Sequence, residues 1–186
     1  MSAMKIELKR TAEDFSQKLY LEDAPDVLKL KAEGAIFEKP VKVELLVSKS
    51  KDQMICRGKV IAPVKLLCSR CLLEYEESLS SDLGFVIDLA GSPERSNSEE
   101  DGYYFTDPTS SFFEIGDLVR ESVILALPLK PLCSVDCKGL CPICGTDLNK
   151  SRCHCVKKET DPRWDKLKGL LQKTSGKGKR KIEKGR

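Results

Sequence analysis

Eight of the nine cysteines fall into four closely spaced pairs, and these residues have the greatest capacity for chemistry in this 186-residue chain. Structural zinc sites hold the ion with four thiolate or imidazole ligands in a tetrahedron, and a tight turn carrying CxxC supplies two of them. Two pairs close one site, so the sequence predicts two structural zinc ions. The pairs are Cys68 and Cys71, Cys133 and Cys137, Cys141 and Cys144, and Cys153 and Cys155.

The pairing of these motifs into sites follows from distance along the chain. The eight residues between Cys144 and Cys153 are enough for the chain to return, so we favour one site from the last two pairs and a second from the first two. The alternative is a single site built from the four consecutive cysteines of residues 133–144. His154, the only histidine, either replaces Cys153 or Cys155 as a ligand or, as we expect, is an exposed neighbour.

The rest of the composition favours a cytoplasmic protein in which these thiols stay reduced. The longest apolar stretch, around VILALPLKPL, is too short and too interrupted by proline to span a bilayer, and the polar first residues contain no signal-peptide core. Early acids, including Glu7, Glu13 and Asp14, argue against a transit peptide. Reduced cysteine clusters are more often metal sites than disulfides.

Alternating apolar residues predict antiparallel strands before the later cysteines. The alternation runs from Val41 to Val47 and from Val60 to Cys68, and LLEYEESLS and GFVIDLA are two further strand candidates. Gly58 indicates a bulge or a turn. The pair Cys68 and Cys71 is then expected in the turn between two strands.

These patterns predict an α+β fold whose first domain, residues 1–129, is rich in antiparallel strands and forms a sheet or a partly open barrel. An acidic loop is expected at residues 91–101, which contain no apolar anchor. Apolar residues at helical spacing predict a helix over about residues 112–127, ended by Pro128 and covering one face of the sheet.

The second half of the chain is predicted to contain a small Cys-rich zinc module, residues 130–160, followed by a helix over residues 161–172. Asp161 is the expected N-cap of that helix and Pro162 lies in its first turn. Residues 173–186 form a basic tail without an apolar stripe, for which we expect disorder.

Charge is divided unequally between the long first segment of the chain and the shorter second one. Residues 1–129 have 16 basic and 23 acidic side chains, a net charge of −7, whereas residues 130–186 have 16 and 6, a net charge of +10. A basic, metal-stabilised segment predicts contact with RNA phosphates. The candidate contacts are Arg152, Lys157, Lys158, Arg163, Lys166, Lys168, Lys177, Lys179, Arg180 and Lys181.

The motifs do not favour an enzyme. The chain has one histidine, no G-x-S-x-G motif and no P-loop. A thiol oxidoreductase that uses CSRC is a remote alternative, because a redox CxxC normally begins a helix whereas this one interrupts a strand pattern.

Three segments resemble one known family. LLCSRCLLEYE, FEIGDLVRESVILALPLKPLCSVDCKGLCPICGTDLN and DPRWDKLKGLL are similar to the bacterial YceD family, whose members are linked to the accumulation and processing of large-subunit ribosomal RNA. The resemblance implies a non-enzymatic ribosome biogenesis factor whose partner is precursor ribosomal RNA or a pre-ribosomal particle. The alternative is a zinc-stabilised adaptor for a ribosomal protein or an RNA-processing enzyme. Neither a membrane nor a small-molecule substrate is expected.

Overall fold

The structure is a computed structural model that describes residues 4–8, 14–90, 102–107 and 109–156. The chain divides into two compact units, a sheet unit of Met1–Gly139 and a small unit of Leu140–Arg186. The division follows Gly139 rather than residue 129, so Cys133 and Cys137 belong to the sheet unit. The predicted loop at 91–101, the helix at 161–172 and the tail at 173–186 lie outside the described residues.

In its described residues, the sheet unit contains a mostly antiparallel open sheet and one short helix. Six strands form the sheet in the order β2-β4-β5-β6-β7, with β3 also beside β5; only the β6–β7 pair is parallel. Strands β1 and β8 form a separate antiparallel pair. The elements are β1 Lys5–Glu7, β2 Phe15–Asp23, β3 Ala35–Ile36, β4 Val41–Ser50, β5 Gln53–Leu67, β6 Glu74–Asp88, β7 Tyr103–Phe105, β8 Phe112–Glu114 and α1 Gly116–Leu125.

The predicted alternation is confirmed in β4 from Val41 to Val47 and in β5 from Val60 to Leu66, where every second side chain enters the core. The two candidates LLEYEESLS and GFVIDLA contribute to a single strand, β6, because β5 pairs with it over 15 residues without a break. Strand β2 was not predicted, although the half-buried residues Phe15, Leu19 and Leu21 lie on its inward face. Its polar residues mask that alternation in the sequence.

Gly58 lies in the middle of β5 and forms neither a bulge nor a turn, so that prediction was wrong. The register is continuous through it, with Leu45 of β4 on one side and Leu83 of β6 on the other. A Cβ atom at Gly58 would lie 1.8 Å from the carbonyl oxygen of Glu44. Glycine is required here because the β4 backbone approaches too closely for any side chain.

The helix is shorter than the predicted range of 112–127. Residues Phe112–Glu114 form β8 instead, because their backbone pairs with β1 and this tertiary pairing outweighs the helical periodicity. The backbone N–H of Ile115 donates to the carbonyl of Met4 3.0 Å away, and α1 follows at once. The helix contacts β5 and β6 and buries Val119 and Val123 in the core.

Among the described residues, no helix has both the length and the apolar character needed to cross a lipid bilayer.

Substitution of Gly58 tests the close approach of β4 and β5. We expect Gly58→Ala to lower the free energy of unfolding by about 1–3 kcal/mol or more, because the added methyl group forces the β4 and β5 backbones apart. Gly84→Ala on β6 is the matched control: nothing lies within 4 Å of its added Cβ, and alanine is normally the better strand residue by about 0.5–1 kcal/mol. Urea denaturation measures both, and equal stabilities for the two variants would contradict the close approach.

Candidate metal centres

The first cysteine cluster contains Cys68, Cys71, Cys133 and Cys137, whose sulfur atoms all lie within 4.8 Å of one another. Sγ of Cys68 is 3.8 Å from Sγ of Cys137, and Sγ of Cys71 is 3.5 Å from Sγ of Cys133. Tetrahedral Zn²⁺ with bonds of about 2.3 Å separates its sulfur ligands by about 3.8 Å, whereas a disulfide needs about 2.05 Å. The spacing therefore fits four ligands of one cation.

Strand β5 and the turn after it position the first CxxC pair. Cys68 continues the inward alternation of Val64 and Leu66 and is fully buried. The backbone N–H of Cys68 donates to the Leu73 carbonyl at 2.9 Å, and that of Leu72 donates to the Cys68 carbonyl at 2.9 Å. The CxxC pair thus occupies a tight turn between β5 and β6, as the sequence predicted.

The two residues between Cys68 and Cys71 form hydrogen bonds to the segment that contains Cys133 and Cys137. Ser69 donates to the Pro131 carbonyl from its backbone N–H at 2.9 Å and from its hydroxyl at 2.7 Å. The guanidinium of Arg70 donates to the Cys137 carbonyl at 2.7 Å. Gly139, at φ +73°, passes so close to Arg70 that a Cβ atom would lie 2.9 Å from the Arg70 carbonyl oxygen. These contacts hold residues 131–139 where Cys133 and Cys137 meet the CxxC pair.

The second cysteine cluster lies in the small unit and contains Cys141, Cys144, Cys153 and Cys155, again with all sulfur atoms within 4.8 Å. Two backbone bonds close its CxxC turn: the N–H of Cys141 donates to the Thr146 carbonyl at 2.8 Å, and that of Gly145 donates to the Cys141 carbonyl at 2.9 Å. Gly145 has φ +72°, a left-handed conformation that glycine adopts without strain.

The two clusters differ in exposure. Three of the four cysteines of the first cluster are buried, and Cys133 is half-buried. In the second cluster only Cys141 is buried, Cys153 and Cys155 are half-buried, and Cys144 is exposed. The second cluster is therefore the more accessible to chelators and oxidants.

The thiols of the first cluster have different pKa values because they form different hydrogen bonds and lie close to one another. The backbone N–H of Cys133 stabilises the Cys68 thiolate and lowers the pKa of that thiol to about 6, although burial acts in the opposite direction. The pKa of Cys133 is raised to about 12, mainly by its hydrogen bond with the Cys71 thiol and by burial. Four thiolates in this space repel one another, so a bound cation is needed for all of them to ionise.

The second cluster likewise contains one thiol with a lowered pKa and one with a raised pKa. The hydroxyl and backbone N–H of Thr146 lower the pKa of Cys144 to about 6. The pKa of Cys155 is raised to about 12, first by its hydrogen bond with the Cys144 sulfur and then by burial. A set of four cysteines of this kind suits Zn²⁺, which bonds readily to thiolate sulfur.

The structure brings the eight paired cysteines together in the two groups that the sequence analysis favoured, rather than as the consecutive set of residues 133–144. His154 is exposed and belongs to neither group. Cys56 is fully buried in β5, where burial raises the pKa of its thiol to about 12. Its observed environment is the hydrophobic core.

Of the predicted RNA contacts, only Arg152 lies among the described residues, and its side chain is exposed. The others lie outside them: Lys157, Lys158, Arg163, Lys166, Lys168, Lys177, Lys179, Arg180 and Lys181.

Sequence reasoning missed Ser69, Arg70 and Gly139 as positioning residues for the first cluster. The signal available was their place inside or directly after the cysteine motifs. Their partners lie more than 60 residues away along the chain, and no local pattern shows such contacts.

Comparison with known proteins gives several relatives. Uncharacterised proteins of Mycobacterium leprae and Mycobacterium tuberculosis are 29% identical over 133 residues and 30% identical over 140 residues, which cover 71% and 75% of this chain. A protein of Arabidopsis thaliana named large ribosomal RNA subunit accumulation protein YCED homolog 1, chloroplastic, is 28% identical over an alignment of 158 positions that covers 72% of this chain and 49% of the relative. The matches span 59% and 64% of the two mycobacterial proteins, less than two thirds of their length.

No solved structure gives a significant match. The family model described as "Large ribosomal RNA subunit accumulation protein YceD" matches residues 56–171. This range is more than half of the chain and includes all eight cysteines of the two clusters. The chain therefore belongs to the YceD family.

Proposed function

We propose that this protein is a non-enzymatic ribosome biogenesis factor that promotes the accumulation or processing of large-subunit ribosomal RNA. The observation that carries the proposal is the family match over residues 56–171, which includes both cysteine clusters. The family description names large-subunit RNA accumulation. In this proposal the protein acts in the cytoplasm and binds precursor ribosomal RNA or a pre-ribosomal particle.

The two clusters serve this function as structural zinc sites. Catalytic zinc normally keeps one coordination position open for water or substrate, whereas four cysteine ligands fill the tetrahedron. The first site would consist of Cys68, Cys71, Cys133 and Cys137, and the second of Cys141, Cys144, Cys153 and Cys155. The proposal assigns no catalytic residue.

Direct RNA contact is supported by charge. The net charge of +10 over residues 130–186 attracts phosphates, although two zinc ions with four thiolates each would offset part of it, at a formal −2 per site. Exposed Arg152 lies beside the half-buried Cys153, so the second site would hold this cation on a rigid segment.

A second candidate, a protein-binding adaptor, is favoured by apolar side chains next to the first cluster. Leu67, Leu72 and Leu73, which flank its CxxC pair, are 41%, 59% and 49% exposed. Neighbouring exposed leucines are typical of protein contacts, and a ribosomal protein or an RNA-processing enzyme is the partner that this alternative proposes.

The thiol oxidoreductase alternative has less support. A redox CxxC needs a nucleophilic thiol that reaches its substrate and is stabilised at a helix N-terminus. Cys68 is fully buried between two strands, and the exposed fraction of Cys71 is 8%.

The first prediction from this proposal is that the protein, purified under reducing conditions, contains two zinc ions. Cys141→Ser should lower the zinc content to one ion and make the small unit sensitive to protease while the sheet unit stays protected. The reason is that a structural zinc contributes about 10–16 kcal/mol in finger peptides. Elemental analysis and limited proteolysis measure these effects.

Cys56→Ala is the matched control, since this cysteine lies in the core outside both clusters. It should retain two zinc ions. A wild-type protein without zinc would refute the metal sites, and equal protease resistance of Cys141→Ser and the wild type would refute the structural role of the second one.

Zinc should leave the two sites at different rates. Because Cys144 is exposed whereas three ligands of the first cluster are buried, we expect a chelator to remove about one equivalent quickly and the other slowly. A colorimetric zinc indicator follows the release. Cys141→Ser should lack the fast phase, and loss of the slow phase instead would reverse the assignment.

Cells that lack this protein should contain too little mature large-subunit ribosomal RNA, with small-subunit RNA much less affected. Quantification of both RNAs in a deletion strain measures this effect. The gene for the wild-type protein should restore the level, and the gene for the Cys56→Ala variant should do the same. Normal large-subunit RNA in the deletion strain would refute the proposed function.

A further inference from the structure

The outward face of β2, β4 and β5 contains an open hollow of about 200 Å³. It lies within the sheet unit, on the side of the sheet opposite the hydrophobic core. We call it the sheet-face hollow. Its lining residues are Lys18, Leu19, Tyr20, Glu44, Leu45, Leu46, Arg57, Gly58 and Lys59.

The strand register orders the side chains of this hollow in two rows across the sheet. Lys18, Leu46 and Arg57 are direct cross-strand neighbours in one row. In the next row, Tyr20, Glu44 and Lys59 are neighbours in the same way. Directly opposite residues on one face of an antiparallel sheet lie about 4.5–5.5 Å apart at Cβ, so each row is a compact group.

An exposed aromatic ring lies at the β2 edge of this arrangement. Tyr20 is 67% exposed and Leu46 is 45% exposed, so both present apolar surface to solvent. Core packing does not explain either side chain, because the alternation of β2 and β4 directs both away from the core.

The charge of the side chains that line the hollow is mostly positive. Lys18, Arg57 and Lys59 are exposed, and none of them forms an ion pair with any residue that the structure describes. Glu44 is the one carboxylate among the lining residues, and Asp82 of β6 lies beside Lys59 in the register. Three cations and one tyrosine on the same face of the sheet complement a ligand that has both negative charge and flat apolar faces.

Single-stranded RNA has this combination of properties. Its phosphates attract lysine and arginine, and its unpaired bases stack on aromatic rings exposed on a sheet. The hollow is smaller than the roughly 300–1,000 Å³ that enclosing small-molecule sites usually have, and it is open to solvent. An isolated metabolite would remain largely uncovered there, whereas a stacked base needs only one face covered.

We propose that the sheet-face hollow binds single-stranded RNA, with Tyr20 stacking on a base and with Lys18, Arg57 and Lys59 contacting phosphates. The inference rests on the proposed function in that the ligand is RNA. It goes beyond that function because it assigns a second contact surface in the acidic half of the chain, separate from the basic residues after the cysteine motifs.

Binding of a short fluorescein-labelled single-stranded RNA to the full-length protein, followed by fluorescence anisotropy, tests the proposal. Tyr20→Ala should weaken binding by about 5- to 100-fold, the usual effect of removing one stacking ring. Arg57→Gln should reduce the slope of log affinity against log salt concentration by about 0.7, the value for one phosphate contact on a single strand.

Two matched variants control for general effects. Phe112→Ala removes another exposed aromatic ring, 55% exposed on β8, and Lys31→Gln removes an exposed cation outside the hollow. Both should bind the probe as the wild type does. The unfolding transition of each variant, measured in urea, verifies that all compared proteins are folded.

Three results would overturn the proposal. If wild-type protein binds the probe and Tyr20→Ala binds it equally well, RNA binds elsewhere, and the proposed role in ribosomal RNA accumulation is unaffected. If wild-type protein does not bind the probe, the hollow is not an RNA site, and the RNA levels of the deletion strain decide separately on the proposed function. The third result is an association of the wild-type protein with ribosomal precursors that resists ribonuclease treatment. If Tyr20→Ala abolishes this association, the hollow binds a protein.

Discussion

Four thiol groups within 4.8 Å of one another are the constraint on which the first cluster and its surroundings depend. As thiolates they repel one another, and as thiols they form only weak hydrogen bonds, so the arrangement is favourable only with a cation or with strong external support. The sheet unit supplies that support through backbone and side-chain bonds from Ser69 and Arg70. Residues 131–139, which contain neither helix nor strand, are thereby fixed against the end of the sheet.

The sheet itself contributes through β5, its central strand. This strand pairs with β3, β4 and β6, and its inward alternation ends at Cys68. A ligand at this position directly follows a strand that is paired with β6 along its whole length. The same strand contributes Arg57 and Lys59 to the opposite face, so one element connects the core, a candidate metal centre and a charged surface.

Much of this arrangement could be predicted because it depends on local patterns. Alternation identified β4 and β5, and cysteine spacing identified the pairs that make up both clusters. The failures involve contacts between distant segments. The helix was predicted to begin at residue 112 because its periodicity extends there, but pairing with β1 makes Phe112–Glu114 a strand. Gly58 was interpreted as a bulge or a turn because a close approach by the Glu44 backbone leaves no trace in nearby residues.

The two clusters also differ in how far apart their cysteines lie along the chain. The second cluster closes within residues 141–155, whereas Cys68 and Cys137 of the first are 69 positions apart. The entropy lost on closing a loop grows with the length of the loop. In the first cluster, β6 and α1 lie between Cys71 and Cys133, and β5 ends directly before Cys68. The second cluster can therefore assemble as soon as its own short segment is available. We expect the first cluster to form later, after the sheet, so that its completion would report whether the preceding strands have folded correctly.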